Sequence, residues 1–267
     1  MNKCVFTIAW STAREVTRQP LFYLILCSGA FLICLSFSFT LFAFGEETRM
    51  IREMGVSTIT ICCLCLASLS AADTISKEME KGTIMTLLSK PVDKNSILLG
   101  KFFGILAAVS SIFIMMGILL TISLCVKESL DYDTDFLSSF ERVGYSTVFQ
   151  LLLSFLQVAI LCAITVAGSV CLPLLANLSC CIAIYVTGNL INFFQGMFQM
   201  NGDMTPWYLM PFFTLFPNFE QFNTFDAGDT LESLSLKYMA QVTIYTMVYI
   251  TFIIGVTCEI FGKKECR

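Results

Sequence analysis

Cysteine has the widest chemical repertoire of any residue type in this chain, and 13 of the 267 residues are cysteines. The run CCLC at residues 62–65 contains the C-x-x-C spacing that binds metal ions or exchanges disulfides in other proteins. No second ligand pair follows it, and most of the cysteines lie in or beside apolar runs. We therefore predict no metal site and assign small apolar packing to Cys27, Cys34, Cys62, Cys63, Cys65, Cys162, Cys171, Cys180 and Cys181.

Histidine is missing from the chain, which excludes Ser-His-Asp triads, Cys-His dyads and zincin-type metal sites. A phosphate-binding loop of the form G-x-x-x-x-G-K-[ST] is also missing, because the nearest fragment, LLGKF at 98–102, lacks the first glycine and the hydroxyl residue. An intramembrane enzyme would need a pair of catalytic groups, and Glu259 stands alone in its apolar run. We predict no catalytic residue and no cofactor bound by this chain.

Positive charge is concentrated in the stretch KEMEKGTIMTLLSKPVDKNSILLGK at residues 77–101, which carries five of the 16 Lys and Arg residues. Ile84, Leu87 and Leu88 share one helical face there, and polar residues share another. The pattern predicts a short amphipathic helix over 77–89.

Two residues of this stretch are informative by themselves. Gly82 weakens a helix by about 1 kcal/mol relative to alanine. Either a partner must approach the backbone closely at Gly82, or the glycine merely interrupts the helix. Lys101 is predicted to anchor the chain, with its stem on apolar surface and its ammonium among lipid headgroups.

The elements that position these residues are predicted to be membrane spans. The chain is 56% hydrophobic and only 13% charged, with a mean hydropathy of +0.77, whereas soluble domains are about a quarter charged. Such a composition indicates an all-α integral membrane protein. A helix needs about 20 apolar residues to cross a bilayer. Six segments qualify: 21–44, 55–72, 97–126, 144–167, 178–200 and 238–262.

The distribution of Lys and Arg predicts the orientation of these spans. With both termini in the cytoplasm, 11 of the 16 basic residues face the cytoplasm and five face outward. We therefore predict a multi-pass protein of the cytoplasmic (inner) membrane with both termini inside.

Residues 5–19 precede the first span and have a helical period. One face carries Val5, Ile8, Ala9, Thr12, Ala13 and Val16, and the other carries polar residues that include Arg14, Glu15 and Arg18. The pattern predicts an amphipathic helix along the inner membrane surface, with Trp10 at the headgroup level. A helix packed on a soluble partner has the same pattern.

The segment at 201–236, predicted to lie outside the membrane, is unusually aromatic and is interrupted by three prolines. These prolines exclude one continuous span. The segment forms either short re-entrant or interfacial helices or a simple aromatic belt. Its candidate residues are Trp207, Tyr208, Phe212, Phe213 and Phe216.

Three stretches resemble a known family. TAREVTRQPLFYLIL, KEMEKGTIMTLLSKPVDKNSILLGKFFG and FPNFEQFN at 216–223 resemble the permease subunits of type-2 ABC transporters, with the nitrous-oxide-reductase-maturation permease as the nearest branch. The residues that match the family motif between spans two and three are Glu78, Glu80, Lys81, Gly82, Thr83, Leu87, Leu88, Ser89, Lys90, Pro91, Gly100 and Lys101.

The resemblance implies a mechanism in which two permeases pair and two separate ATPase subunits dock on their cytoplasmic side. Residues 77–89 would be the coupling helix, residues 5–19 the connecting helix and residues 201–236 the outer gate, all within one permease domain over 1–267. A second cytoplasmic contact would lie at 167–177. ATP and Mg²⁺ would be bound by the partner ATPase.

This resemblance leads to an ATP-driven exporter as the predicted function. The predicted partners are an ABC ATPase subunit, a second permease copy or paralogue, and the lipid bilayer, with no nucleic acid. The alternative is a membrane scaffold subunit of a surface or motility machine, because some relatives serve in gliding.

Overall fold

A computed structural model of the chain describes residues 2–36, 47–76, 94–132, 140–200, 216–223 and 236–264. These residues are almost entirely helical and include no strand, which confirms the predicted all-α fold. The helices are α1 (Asn2–Arg18), α2 (Pro20–Ser36), α3 (Glu47–Ala71), α4 (Lys94–Tyr132), α5 (Tyr145–Cys171), α6 (Leu174–Met200) and α7 (Leu236–Lys264). Short π-helical turns follow α3 (Ala72–Ser76) and precede α5 (Phe140–Gly144), and a 3₁₀ turn covers Glu220–Phe222.

Five of these helices, α3 to α7, are long and apolar enough to cross a membrane. A sixth span is present if α1 and α2, which meet at an angle of 63° around Pro20, count as one bent span. The chain is therefore a multi-pass membrane protein, as the hydropathy pattern predicted. The first predicted span, 21–44, is described as helix only to Ser36, and its remainder lies outside the described residues.

Helices α3 and α4 extend beyond their apolar runs. Helix α3 begins at Glu47, eight residues before the predicted span, and α4 has 39 residues, or about 58 Å at 1.5 Å per residue. Charged side chains are accommodated in these extensions because they pair across the bundle: Lys127 Nζ lies 2.5 Å from Glu47 Oε2. Hydropathy alone cannot show such pairs.

Helix α5 lies in the centre of the bundle and contacts α3, α4, α6 and α7. Its side chains Leu153, Ile160, Leu161 and Cys162 are fully buried. Helix α7 lies at the periphery, since large apolar side chains such as Val248 and Phe252 are more than half exposed. This face is therefore free for lipid or another membrane protein.

The apolar stripe of α1 packs on α4 of the same chain. A Cβ added at Gly100 would lie 2.8 Å from Ile8 Cβ, and one added at Gly104 would lie 2.7 Å from the Ala9 carbonyl oxygen. Two glycines four residues apart let helix backbones approach closely. The sequence predicted that this stripe would rest on the membrane surface or a soluble partner, whereas the structure covers it with α4.

Helices α5 and α6 form a tight hairpin around Leu172 and Pro173. Asn177 Nδ2 donates a hydrogen bond of 3.1 Å to the Thr165 carbonyl oxygen, and the Leu172 amide donates to the Gly168 carbonyl oxygen at 2.8 Å. The segment 167–177, predicted as a second cytoplasmic contact, is thus a closed turn, and its contact with an ATPase stays a prediction.

Candidate functional site: two ends of one bundle

The π-helical turn at the end of α3 contacts the start of α4 through Lys101. The hydroxyls of Ser70 and Thr74 donate hydrogen bonds to carbonyl oxygens four residues earlier. Such bonds compete with regular helix hydrogen bonds and accompany the irregular turn. Lys101 Nζ donates a hydrogen bond of 2.5 Å to the Thr74 carbonyl oxygen. Only 8% of Lys101 is exposed, so its ammonium lies inside the protein, against the carbonyl end of the π-helical turn. We call this the Lys101 end of the bundle.

This geometry corrects one sequence prediction. Lys101 was expected to reach lipid headgroups as an anchor, but it is buried and bonded to another helix. A buried ammonium requires a hydrogen-bond acceptor, and the Thr74 carbonyl oxygen of the π-helical turn after α3 supplies one. The lysine therefore joins the two helix ends that flank residues 77–93.

The predicted coupling residues lie in that flanked segment. All of them fall outside the described residues: Glu78, Glu80, Lys81, Gly82, Thr83, Leu87, Leu88 and Pro91. Their roles stay predictions.

The predicted connecting-helix residues are described, and all four lie on the part of α1 that α4 leaves uncovered. Trp10, Arg14, Glu15 and Arg18 are exposed, with 67% of Trp10 accessible. The covered face instead carries Thr12 and Val16, of which 5% and 0% are exposed. Helix α1 therefore presents an indole and three charged groups to whatever surrounds the bundle.

At the opposite end, residues 216–223 fold between α5, α6 and α7. We call this segment the plug. Phe219 and Phe222 are fully buried, and the Phe219 amide donates a hydrogen bond of 3.1 Å to the Gly188 carbonyl oxygen of α6. A Cβ at Gly188 would lie 2.7 Å from the Pro217 carbonyl oxygen. The plug backbone therefore approaches α6 more closely than any larger residue would permit.

Polar side chains from all three helices hold the plug. Gln150 Nε2 of α5 donates to the Phe222 carbonyl oxygen at 3.2 Å. Asn223 Nδ2 donates to Asn189 Oδ1 of α6 at 3.3 Å. Two tyrosines of α7 also bind the plug. The Tyr238 hydroxyl donates a hydrogen bond to the Gln221 carbonyl oxygen, and the Tyr245 hydroxyl accepts one from the Asn218 amide.

Of the predicted outer-gate residues, only Phe216, at the start of the plug, is described, and it is partly buried. Trp207, Tyr208, Phe212 and Phe213 lie outside the described residues. The structure thus gives the conformation of the middle of the predicted outer segment and leaves the role of its aromatic residues a prediction.

Helix α5 carries a buried polar face that the sequence analysis missed. Thr147, Gln150, Ser154 and Gln157 follow one another at spacings of three and four residues, and at most 3% of each is exposed. The Thr147 hydroxyl donates to the Val143 carbonyl oxygen in the π-helical turn before α5, and the Ser154 hydroxyl donates to the Gln150 carbonyl oxygen of α5. Gln157 Nε2 is buried and has no hydrogen-bond partner among the described residues. The three-and-four spacing of polar residues in an apolar span was the signal that could have identified this face.

The plug end is connected to α3 and α4 by a second set of polar contacts. Lys127 of α4 pairs with Glu47 of α3, and Arg52 of α3 donates a hydrogen bond of 2.8 Å to Ser146 Oγ of α5. Ser146 lies one turn before Gln150, which bonds the plug. Contacts between side chains therefore continue from the α3–α4 pair to the plug.

The described cysteines are all free, and the described residues contain no cluster of three or more His, Cys, Asp or Glu side chains able to hold a metal ion. Cys62 and Cys63 are buried in the core of the bundle, and Cys65 is partly buried beside it. The C-x-x-C run thus occupies a packing position.

Comparison with known proteins identifies the family. The family described as ABC-2 family transporter protein matches residues 38–266, most of the chain. No curated protein matches the chain significantly. Because the family model matches most of the chain and the described helices are apolar enough to span a membrane, the chain belongs to the ABC-2 family of transporter proteins and is a permease component of an ABC transporter.

Proposed function

We propose that this chain is the membrane-spanning permease subunit of an ABC exporter, in which a separate ATPase subunit docks at the Lys101 end and the plug closes the opposite end. Residues 77–89 form the coupling helix that the ATPase moves, and ATP and Mg²⁺ bind the ATPase. A second permease copy or paralogue completes the path. The Lys101 end faces the cytoplasm in the inner membrane, which agrees with the predicted excess of basic residues on that side.

The observation that supports this proposal is the bond between Lys101 Nζ and the Thr74 carbonyl oxygen. It joins the ends of α3 and α4 on both sides of the coupling segment. At the other end of the same helix pair, Lys127 bonds Glu47. Because the pair is tied at both ends, a displacement of residues 77–89 moves α3 and α4 together.

The remaining step of the proposed mechanism is transfer of that displacement to the plug. Arg52 contacts α5 at Ser146, and Gln150 of α5 holds the Phe222 carbonyl oxygen. Movement of α3 relative to α5 would strain the Arg52–Ser146 hydrogen bond, and the resulting shift of α5 would strain the bond between Gln150 and the plug. A hydrogen bond contributes about 0.5–1.5 kcal/mol net, so ATP-driven motion has ample free energy to break both.

The coupling segment is tested with Gly82→Trp. An indole at a site of close backbone approach should abolish copurification with the ATPase subunit while leaving membrane insertion intact. Gly255→Trp is the matched control, because Gly255 of α7 lines an open groove and no atom lies within 4 Å of a Cβ added there. Normal ATPase association in Gly82→Trp would contradict the docking role of residues 77–89.

A further inference from the structure

Two grooves flank the same face of α4. The first lies between α1 and α4 and has a volume of about 1060 Å³. The second lies between α4, α5 and α7 and has a volume of about 730 Å³. Leu99 and Phe103 of α4 line both grooves, so the grooves lie on either side of these two side chains. Both are large and mostly apolar, which suits a ligand with long hydrocarbon chains.

The two grooves differ in charge. The α1–α4 groove is lined by apolar side chains and a few hydroxyls, and its single charged residue is Arg14. The single charged residue of the other groove is Glu259. The Arg14 guanidinium forms no ion pair within the part of the chain that the structure describes. A hydrophobic ligand with an anionic group is therefore complementary to the first groove and is repelled by the second.

The depth of Arg14 agrees with that of a lipid headgroup. The uncharged run of α4, residues 102–126, spans about 37 Å, and a hydrocarbon core of about 30 Å centred on it has one boundary near Gly104. Thr12 of α1 packs against Gly104, so Arg14 stands beside that boundary. Trp10, one turn earlier in the same groove, has an amphipathic ring that favours this level.

We propose that the α1–α4 groove binds an anionic phospholipid from the adjacent leaflet. The Arg14 guanidinium and the Trp10 indole N–H bind the phosphate, and an acyl chain lies along Phe103 and Ala107. The bound lipid covers the apolar wall of α1 and fastens this helix to α4. Phosphate recognition by a guanidinium is strengthened by its planar set of donors.

The chain offers a direct probe, because Trp10 and Trp207 are its two tryptophans. In a Trp207→Phe background, Trp10 is the sole tryptophan and reports lipid in the groove. Fluorescence quenching is measured with acyl-brominated phosphatidylglycerol and with acyl-brominated phosphatidylcholine, each titrated into protein in mixed micelles. We expect about fivefold tighter quenching by the anionic lipid, which corresponds to about 1 kcal/mol for one basic residue at an anionic surface.

Two variants decide whether the preference belongs to the groove. Arg14→Gln should remove the preference, whereas Arg18→Gln, one turn later on α1 and outside the groove lining, should keep it. Both side chains are exposed, so neither change disturbs the buried stripe of α1.

Three results would overturn the proposal. Equal quenching by the two lipids would show no selection of charge. Equal loss in both arginine variants would show a general surface effect. No quenching by either lipid would show that protein, such as a second copy of this chain, covers the groove.

Discussion

Gln150 and Gln157 provide a matched pair of substitutions on one face of α5. Both are 3% exposed and lie two helical turns apart, but Gln150 Nε2 bonds the Phe222 carbonyl oxygen and Gln157 Nε2 has no partner among the described residues. Burial of an amide without a hydrogen bond costs about 1–3 kcal/mol. Gln157→Leu removes that cost with a similar volume and should stabilise the protein by about this amount.

Gln150→Leu should have the opposite effect. It removes a hydrogen bond and leaves the Phe222 carbonyl oxygen unpaired in the core, which costs about 1–3 kcal/mol. At roughly 2–4 °C per kcal/mol for a chain of this size, the two variants should shift the Tm by about 2–12 °C in opposite directions. Thermal unfolding of the purified permease, followed by circular dichroism in one detergent, measures both shifts. A lower Tm in Gln157→Leu would contradict this expectation, because it would show that the Gln157 amide is paired.

Two other predictions concern the Lys101 end. Gly104→Ala should destabilise the protein by about 1–3 kcal/mol. The new Cβ would lie 2.7 Å from the Ala9 carbonyl oxygen, and a backbone atom cannot move aside as a flexible side chain can. Gly255→Ala, where the site is open, should stabilise the protein by about 0.5–1 kcal/mol. Thermal unfolding of both variants checks the pair, and equal effects would contradict close α1–α4 packing. Lys101→Met should speed hydrogen exchange at the π-helical turn about tenfold or more, since a hydrogen bond to a charged group contributes about 1.5–3 kcal/mol, and Lys101→Arg should preserve protection. Unchanged exchange in Lys101→Met would show that the lysine does not hold the turn.

The fold class and five of the six predicted spans could be predicted from the sequence, because the length of an apolar run indicates whether a helix can cross a membrane. The ends of α3 and α4 could not. Hydropathy treats Glu47 and Lys127 as unfavourable in a span, and only the folded bundle shows that they neutralise each other. The same limit applies to Lys101, whose burial depends on the Thr74 carbonyl oxygen of a helix 27 residues away in sequence.

The helical period of residues 5–19 predicted α1 but not the surface that covers its apolar stripe. Periodicity shows which residues share a face and says nothing about what that face contacts. Gly100 and Gly104 carried the missing signal, since small residues four apart mark close helix packing in membranes. The same limit applies to the plug. Its sequence FPNFEQFN resembles a segment of the permease family, but its position depends on hydrogen bonds to Gln150, Gly188 and Asn189.

The proposed mechanism requires that movement at the Lys101 end reaches the plug. Hydrogen–deuterium exchange of residues 216–223 tests it most directly, in the unmodified permease bound to its ATPase, with and without a trapped ATP analogue. We expect faster exchange at the Phe219 amide, which donates a hydrogen bond to the Gly188 carbonyl oxygen, when nucleotide is trapped. Exchange that stays the same while the ATPase is shown to bind and hydrolyse ATP would contradict it, and would favour a membrane scaffold over a transporter.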